Sequence, residues 1–268
     1  MLKCGFIGLG SQGAPMARRM IDAGFDVMLW ARRPDSLAPF ADSPAKTAAS
    51  VAELGAHADH VSICVVDDAG VREICAAIIP AMQKGSRIAI HSTVHPDTCI
   101  ELAERAGTRG IKLLDAPVSG GEPAARAGAL TVMVGGDADA FAAAKPVFES
   151  FGKLILHLGN VGAGQRAKLI NNALLAAHMG LAHHALQAGA KLDLDRNALV
   201  ELIKASSGRS FGFETYARLP TPQAFAHGGA LLAKDVRLLG ELCGADPSVA
   251  PIRELAISFL SIVLNKPA

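Results

Sequence analysis

A glycine pattern near the start of the chain constrains the fold more than any other feature. It follows a short run of apolar and β-forming residues, 2–7, and the helical segment 14–23 comes directly after it. In such a strand–turn–helix unit, the glycines allow a tight turn, close approach of a pyrophosphate and close packing of the helix on the strand. The pattern predicts a dinucleotide site, and glycines that merely turn the chain are the alternative. The residues assigned to this site are Gly8, Gly10, Ser11, Gln12 and Gly13.

Beyond this unit, the first half of the chain alternates between helix-like and strand-like segments, and the second half is helical in pattern. The alternation continues to residue 157, as expected for a parallel sheet covered by helices. The later helical segments are 165–191, 196–206, 231–243 and 251–264. The sequence therefore predicts an α/β protein with a Rossmann-like doubly wound parallel sheet in residues 1–161, followed by an all-helical domain in residues 162–268.

Two arginines at the end of the second predicted strand indicate which dinucleotide is bound. An acidic residue at this point would bind the ribose 2′-hydroxyl of NAD, but the sequence is Ala31-Arg32-Arg33, and Asp35 comes too late, after Pro34. A pair of guanidinium groups can bind a 2′-phosphate in planar, bidentate fashion. Arg32 and Arg33 therefore favour NADP over NAD. The alternative is that both are solvated loop charges.

Three loops follow strands of the predicted sheet, at the edge where such sheets bind their ligands. Val66 lies in the first loop and Thr93 in the second, where each can border a nicotinamide. The third loop contains Ser119-Gly120-Gly121, in which a hydroxyl stands beside two backbone N–H groups that no side chain shields. Such a group of donors can bind a carboxylate. An ordinary turn is the alternative.

A lysine close to the start of a long apolar helix is the strongest candidate for proton transfer. Lys168 follows Gly162 and Gly164 among Ala, Leu and Ile residues, so we expect this helix to be buried on most sides. An ammonium group is costly to bury there, and its pKa can fall until it exchanges protons near neutral pH. Asn172 comes one helical turn later and can offer a carbonyl oxygen on the same face.

The composition excludes several other classes of function. Half of the 268 residues are hydrophobic and the formal net charge is +1, so no basic surface argues for nucleic acid. No stretch approaches the roughly 18 uninterrupted apolar residues of a spanning helix, and the glycine pattern leaves no room for a leader before it. The cysteines lack CxxC spacing and the histidines lack metal-ligand spacing. We therefore expect a cytoplasmic protein without metal, nucleic-acid or membrane partners.

Four motifs in this order resemble those of the β-hydroxyacid dehydrogenase family, which includes 3-hydroxyisobutyrate dehydrogenase. The glycine signature lies at 8–17, the substrate loop at 115–121 and the catalytic helix at 162–172. The fourth motif, Lys234-Asp235, lies near the start of the predicted helix 231–243. The resemblance extends over nearly the whole chain, and it implies a Rossmann-like domain, an all-helical domain and a substrate held between them.

The resemblance also implies a role for each matching residue. Lys168 would be the general acid/base, Asn172 would orient the substrate, and Ser119 to Gly121 would bind its carboxylate. Thr93 and Lys234 would contact the cofactor. The reaction implied is hydride transfer between NADP(H) and a small β-hydroxyacid or its semialdehyde. The alternatives are a non-catalytic dinucleotide-binding module and an imine-reductase-like enzyme, which would lack the lysine. We also expect a homodimer or homotetramer, because the long Ala/Leu helices are more simply explained as core and subunit interface than as membrane-active surfaces.

Overall fold

The computed structural model describes residues 2–265, and the chain divides into two compact units. The first unit ends at Lys168 and the second begins at Leu169. This division falls inside a helix and later in the chain than the expected boundary after residue 161. Because a continuous helix crosses the division, no linker composition marks it in the sequence.

A six-stranded parallel sheet forms the centre of the first unit. Its strands are β1 (Lys3–Ile7), β2 (Asp26–Trp30), β3 (Lys46–Thr47), β4 (His60–Ile63), β5 (Arg87–Ile90) and β6 (Lys112–Asp115). Their order is β3-β2-β1-β4-β5-β6, and every neighbouring pair is parallel. The predicted Rossmann-like parallel sheet is confirmed. The strand order reverses between β1 and β4, where open α/β sheets bind their ligands.

Helices connect the strands and cover both faces of this sheet. They are α1 (Gly13–Asp22), α2 (Val51–His57), α3 (Asp68–Ile78) and α4 (Pro96–Gly107). Phe6 and Ile7 are neighbours in β1 but belong to different buried clusters, because successive strand side chains point to opposite faces. Met16 of α1 packs in the cluster of Phe6, whereas Leu54 of α2 packs in the cluster of Ile7. Burial on both faces explains why the central strands are mainly apolar rather than alternating.

A smaller sheet completes the first unit. It consists of β7 (Val118–Ser119), β8 (Leu130–Val134) and β9 (Gly152–His157), in which β7 is antiparallel to β8 and β9 is parallel to it. Helix α5 (Gly121–Arg126) joins β7 to β8, and α6 (Ala138–Glu149) joins β8 to β9. The sequence pattern indicated that helix-like and strand-like segments alternate to residue 157, but it did not indicate β7 and α5, which are too short to show a periodic pattern.

The second unit is built from helices in the part of it that the structure describes, as predicted. Helix α7 (Ala163–Lys191) begins in the first unit and is followed by α8 (Arg196–Lys204), α9 (Phe211–Ala217), α10 (Ala226–Cys243) and α11 (Ala250–Leu264). Leu169 and Ala173 of α7 share a buried cluster with Leu232 of α10 and Leu260 of α11. Within residues 2–265, no helix is both long and apolar enough to cross a membrane.

Helix α10 begins earlier than the sequence pattern indicated. The expected start at residue 231 placed Lys234 in the first turn, but the helix starts at Ala226 and Lys234 lies near its middle. Gly228 and Gly229 have low helix propensity and yet are helical. A Cβ on Gly229 would lie only 2.6 Å from Cγ1 of Val263 in α11. Close packing of α10 on α11 therefore overrides the local propensity of these glycines.

Helix α7 is buried or half-buried along most of its first two-thirds, as expected, but one of its faces is exposed. Ile170, Leu174 and Leu181 are 54%, 43% and 50% exposed. Their spacing places them on a single stripe along the helix, which we call the α7 stripe. Composition shows that a helix is apolar, but it does not show which of its faces another element covers.

The cysteines are free thiols, and three of them are fully buried. All five, Cys4, Cys64, Cys75, Cys99 and Cys243, lack a disulfide partner among the described residues. Burial raises the pKa of the Cys4, Cys64 and Cys75 thiols to about 12. These thiols therefore stay protonated near neutral pH.

Candidate functional site

The turn between β1 and α1 has the geometry that a dinucleotide pyrophosphate requires. Gly8 has φ 99°, and a Cβ at this residue would collide with the carbonyl oxygen of Cys64. A Cβ on Gly13 would collide with the carbonyl oxygen of Gly8. The chain itself therefore requires these two glycines. Gly10 is different, because no atom outside its immediate neighbours lies within 4 Å of its Cβ position. Its missing side chain leaves space for close approach of a ligand.

The first turn of helix α1 adds an electrostatic preference for an anion. It contains no acidic residue, so the partial positive charge of the helix N-terminus is not neutralised there. Ser11 is exposed and Gln12 is half-buried, and both immediately precede the helix. The side chain of Gln12 lies against α1, with Nε2 3.9 Å from Sδ of Met16. These residues fit the diphosphate of NAD(P).

A cavity of about 560 Å³ opens at the carboxyl ends of β1, β2 and β4. Its size is within the range of about 300–1,000 Å³ that is usual for small-molecule sites. It brings together five of the predicted cofactor residues, namely Gly8, Gly10, Arg32, Arg33 and Val66. Thr93 is not among its lining residues. Trp30 also lines the cavity, and it is the single tryptophan of the chain, which makes it a fluorescence reporter of binding.

Arg32 has an acidic partner that no local sequence pattern indicates. Its Nη2 lies 2.6 Å from Oε2 of Glu73 in helix α3. The two side chains are 67% and 64% exposed, so the ion pair contributes at most about 1 kcal/mol. A weak, exposed pair of this kind can be exchanged for a ligand phosphate at small cost. The carboxylate of Glu73 nevertheless competes for the guanidinium.

The loop after β5 is held by a buried glutamine of helix α7. Gln165 has no exposed surface. Its Oε1 accepts a hydrogen bond from the backbone N–H of Val94 at 3.1 Å, and its Nε2 donates to the carbonyl oxygen of Ser92 at 2.8 Å. Thr93, a predicted cofactor residue, lies between these two anchors. The sequence carries no signal for this role, because a glutamine in the first turn of a helix is usually exposed.

Asp115, the last residue of β6, holds the start of helix α7. Its carboxylate is fully buried. Oδ1 accepts from the backbone N–H of Gly162 and Oδ2 from that of Gln165, both at 2.7 Å. Burial raises the pKa of Asp115, while these two N–H groups oppose the increase. Asp115 is therefore a helix cap supplied by a strand far earlier in the chain, which the sequence placed only within the substrate loop.

The predicted carboxylate-binding residues lie where β7 passes into α5. Ser119 is half-buried and pairs with Thr131 of β8. Gly120 has φ 127° and Gly121 has φ 67°, and both are exposed. Such positive φ values favour glycine. Neither glycine has a side chain of its own that could shield its backbone N–H group, and both directly follow Ser119 in the chain.

Lys168 and Asn172, the predicted catalytic residues, lie one turn apart on α7. Lys168 is 9% exposed and Asn172 is 6% exposed. Nδ2 of Asn172 donates to Oδ2 of Asp235 at 2.6 Å. Because a carboxylate only accepts, Asp235 fixes which end of the amide faces it. Oδ1 of Asn172 accepts from Nδ2 of Asn171 at 3.2 Å and has capacity for one more donor. Lys234 Nζ lies 3.4 Å from Oδ1 of Asp235.

Two buried histidines in the first unit contact neighbouring polar groups of the core. His60 and His91 both contact the hydroxyl of Ser62, at 3.3 Å and 3.2 Å, and Nδ1 of His91 lies 2.7 Å from the carbonyl oxygen of Ala116. Burial lowers the pKa of His60 to about 3 and that of His91 to about 4. Both rings are therefore neutral near pH 7. In residues 2–265, no group of three or more His, Cys, Asp or Glu residues can hold a metal ion.

The strand order, the glycine turn and the cavity beside it define the first unit as a Rossmann-type dinucleotide-binding domain. Two family models match the chain. Residues 3–159 match the NAD binding domain of 6-phosphogluconate dehydrogenase. Residues 162–265 match the NAD-binding domain of NADP-dependent 3-hydroxyisobutyrate dehydrogenase.

Comparison with individual proteins points to the same group of dehydrogenases. Mouse mitochondrial 3-hydroxyisobutyrate dehydrogenase is 36% identical over 87% of this chain and 73% of its own length. An NAD-dependent L-serine dehydrogenase of Pseudomonas aeruginosa is 35% identical over 99% of this chain and 93% of its own length. The structure of Mycobacterium tuberculosis 3-hydroxyisobutyrate dehydrogenase with L-serine superimposes with a TM-score of 0.87 at 29% identity, covering 99% and 98% of the two chains.

These matches cover both units of the chain. The chain belongs to the β-hydroxyacid dehydrogenase family, whose members are NAD(P)-dependent oxidoreductases. The predicted family and fold class are confirmed.

Proposed function

We propose that this protein transfers a hydride between NADP(H) and a small β-hydroxyacid or its semialdehyde, with Lys168 as general acid/base. The observation that carries the proposal is the burial of Lys168, which is 9% exposed and lies one helical turn before the buried Asn172. A buried amine on the catalytic helix of a dehydrogenase family is suited to proton exchange with a substrate hydroxyl.

In this proposal, each of the candidate residues has its own role in the reaction. NADP, when bound, accepts or supplies the hydride. In oxidation, Lys168 as a neutral amine takes the hydroxyl proton, and in reduction its ammonium group returns a proton to the alkoxide. Asn172 orients the substrate hydroxyl through Oδ1, since Asp235 holds its Nδ2. Ser119 and the N–H groups of Gly120 and Gly121 bind the substrate carboxylate.

The names of the relatives support this substrate class. The mouse relative is named for 3-hydroxyisobutyrate, and the Pseudomonas relative for L-serine. Both compounds carry a primary alcohol on the carbon β to a carboxylate. The shared chemistry is therefore a small acid whose hydroxyl and carboxylate are bound at separate points. The free cysteines fit the proposed location in the reducing cytoplasm.

The test of Lys168 compares two lysines of the same helix. Lys168→Ala is expected to lower kcat by about 10²–10⁴-fold, the usual contribution of a general acid/base. Lys191→Ala is the matched control, because Lys191 is exposed in the last turn of α7. NADPH binding, followed through Trp30 fluorescence, is expected to stay the same in both variants. Unchanged turnover in Lys168→Ala would remove this residue from the mechanism.

The substrate is identified by absorbance assays of NADPH formation and consumption. The alcohols to be tested are 3-hydroxyisobutyrate and L-serine. The aldehydes are methylmalonate semialdehyde, tartronate semialdehyde, succinic semialdehyde and glyoxylate. We expect turnover with at least one of these compounds. Cofactor binding without turnover of any of them would support a non-catalytic module, and turnover of a cyclic imine alone would support an imine reductase.

The preference for NADP is proposed on the position of Arg32 and Arg33 at the dinucleotide cavity. Arg32→Ala is expected to raise KM for NADPH about 10-fold or more, because hydrogen bonds to charged groups contribute about 1.5–3 kcal/mol. KM for NADH should change little. Glu73→Gln should lower KM for NADPH several-fold, because it releases Arg32 from its ion pair. Preference of the unmodified protein for NADH in the same assay would overturn the assignment.

A further inference from the structure

Both ends of the Gln165 side-chain amide are hydrogen-bonded inside the protein. The oxygen accepts from Val94 N–H and the nitrogen donates to Ser92 C=O, on the two sides of Thr93. An amide is suited to this task because it has a donor and an acceptor at fixed separation. Both backbone groups are thereby satisfied. Without Gln165, the buried N–H and C=O would have to find other partners or the loop would have to move.

The same residue is anchored through its backbone. The N–H group of Gln165 donates to Asp115 Oδ2, and that of Gly162 donates to Asp115 Oδ1. The backbone of Asp115 is itself paired with Gly135, with N–H to O distances of 3.1 Å and 2.8 Å. The first turn of α7 therefore has a fixed position relative to the end of β6, from which the Ser119 segment continues.

The connection reaches a third loop through Ser92. Its hydroxyl accepts from the backbone N–H of Val65 at 2.8 Å. Val65 precedes Val66, which lines the dinucleotide cavity. Three loops at the carboxyl edge of the sheet are thus tied to one turn of α7 by buried hydrogen bonds. All of these groups lie in the first unit, which also includes Lys168.

We propose that Gln165 is a positioning residue, which fixes Lys168 relative to the Thr93 loop. Gln165 precedes Lys168 by three residues, so the two side chains project from neighbouring positions on one side of the helix. The inference rests on the proposed function of Lys168. Gln165 is not expected to touch substrate or cofactor, and it acts by holding the helix that carries Lys168.

Capping of helix α7 does not require the side chain of Gln165. The N-termini of α2, α3, α6 and α8 are each capped by one serine or aspartate side chain, and α7 already has Asp115. Among the described residues, no hydrogen bond from the side chain of Gln165 to its own helix is seen, and the two backbone groups to which its amide is hydrogen-bonded both belong to the Thr93 loop. Its burial therefore sets a distance between loop and helix. A shift of about 1 Å in such a distance can lower turnover about 10²-fold.

The test removes the amide at nearly constant volume. Gln165→Met is expected to lower kcat about 10–100-fold with the best substrate of the panel. The Kd for NADPH, measured through Trp30 fluorescence, is expected to stay within about threefold, because the glycine turn and Arg32 are unchanged. Ser150→Ala is the matched control, because Ser150 is buried in the same unit and hydrogen-bonds to Val147 O. It should keep kcat unchanged.

A conservative variant guards against failure of Gln165→Met to fold. In Gln165→Glu, burial raises the pKa of the new carboxyl and favours its protonated form. A protonated carboxyl has one donor and one acceptor, so it can form both bonds of the amide. We expect Gln165→Glu to restore at least half of the lost kcat below neutral pH. Equal losses in the Glu and Met variants would overturn the positioning role.

Combination with Lys168→Ala separates the two hypotheses. If Gln165 acts through Lys168, then adding Gln165→Met to Lys168→Ala should lower kcat no further. Independent, multiplicative losses would overturn the inference and leave the role of Lys168 intact. Normal turnover in Gln165→Met, with reduced turnover in Lys168→Ala, would do the same. Normal turnover in Lys168→Ala would instead overturn the proposed function.

Discussion

The two units of the chain differ in the interactions that hold their elements in place. In the first unit, buried polar side chains fix the loops at the edge of the sheet, with Asp115 and Gln165 as the principal anchors. In the second unit, the helices are held by apolar packing, and the Asn172–Asp235 pair lies within an interior that is otherwise mainly apolar. Directional bonds specify the position of a loop, whereas apolar contacts contribute mainly to stability.

This contrast has a quantitative consequence. Deleting a large buried side chain costs about 3–5 kcal/mol. A lost hydrogen bond leaves a buried group unsatisfied and costs about 1–3 kcal/mol. We therefore expect stability to depend most on the apolar cores of the two units, and turnover to depend most on the polar anchors of the first unit.

The largest expected effect is in the helical core. Phe259 is 1% exposed and its ring packs against Tyr216, with ring centroids 5.8 Å apart. Phe259→Ala is expected to lower the free energy of unfolding by about 3–5 kcal/mol, as measured by chemical denaturation. Leu255→Ala on the same helix is the control, because Leu255 is 43% exposed and should cost about 1 kcal/mol or less. Similar losses in both variants would contradict the importance of packing.

The next largest effect is expected at the start of α7, where Gly164 lies close to two backbone carbonyl groups. A Cβ on Gly164 would collide with the carbonyl oxygen of Met133 and would lie 2.9 Å from that of Asp115. Gly164→Ala is expected to cost about 3 kcal/mol, since neither carbonyl can move without breaking the anchors of the helix. Gly107→Ala at the end of α4 is the control, because nothing lies within 4 Å of its Cβ position. A stable Gly164→Ala protein with normal turnover would show that this anchoring is loose.

Acid should destabilise the first unit through its buried histidines. The pKa of His60 is about 3 in the folded protein and about 6.5 when unfolded, so the unfolded state binds more protons between these values. Stability is therefore complete above about pH 6.5 and falls as the pH decreases towards 3. At pH 5, His60 alone accounts for a loss of about 2 kcal/mol.

The measurement compares unfolding at pH 7.5 and pH 5 for the unmodified protein, for His60→Leu and for His227→Ala, in which an exposed histidine is removed. The loss of stability on acidification should be smaller in His60→Leu and unchanged in His227→Ala. An equal loss in all three proteins would contradict the contribution of His60.

The smallest effect on unfolding is expected at the α7 stripe. Leu181→Ser should lower the free energy of unfolding of the isolated chain by about 1 kcal/mol or less, because Leu181 is 50% exposed. We propose that this face is an interface of a homodimer or homotetramer, since exposed apolar stripes mark interaction sites. Light scattering should then show a lower mass for Leu181→Ser. Leu156→Ser in β9 is the control, and an unchanged mass in Leu181→Ser would contradict the proposal.

The glycine turn and the parallel sheet could be predicted because their signals are local. Strand, glycines and helix follow one another within residues 3–22, and backbone sterics then leave little choice of conformation. The start of α10 could not be predicted, because Gly228 and Gly229 have low helix propensity and Gly229 becomes helical in close packing on α11. The short elements β7 and α5 were missed for a similar reason, since β7 exists only through its pairing with β8.

The residues of the candidate site also include some that the sequence could predict and some that it could not. Gly8, Gly10, Arg32, Arg33 and Val66 were assigned from their places after strands, and they line one cavity. Glu73 and Gln165 could not be assigned, because each acts on a residue far away in the chain. Their types are common on helix surfaces, and burial or pairing distinguishes them only after folding.

The amino-acid sequence by itself determined the fold class, the dinucleotide turn, the family and the candidate lysine. Each depends on residue type at fixed spacing along the chain. The tertiary structure decided how these parts are held: Asp115 caps α7, Gln165 spans the Thr93 loop, and Asp235 orients Asn172. The physical reason is that a hydrogen bond requires donor and acceptor about 3 Å apart, and for residues far apart in sequence only folding sets that distance.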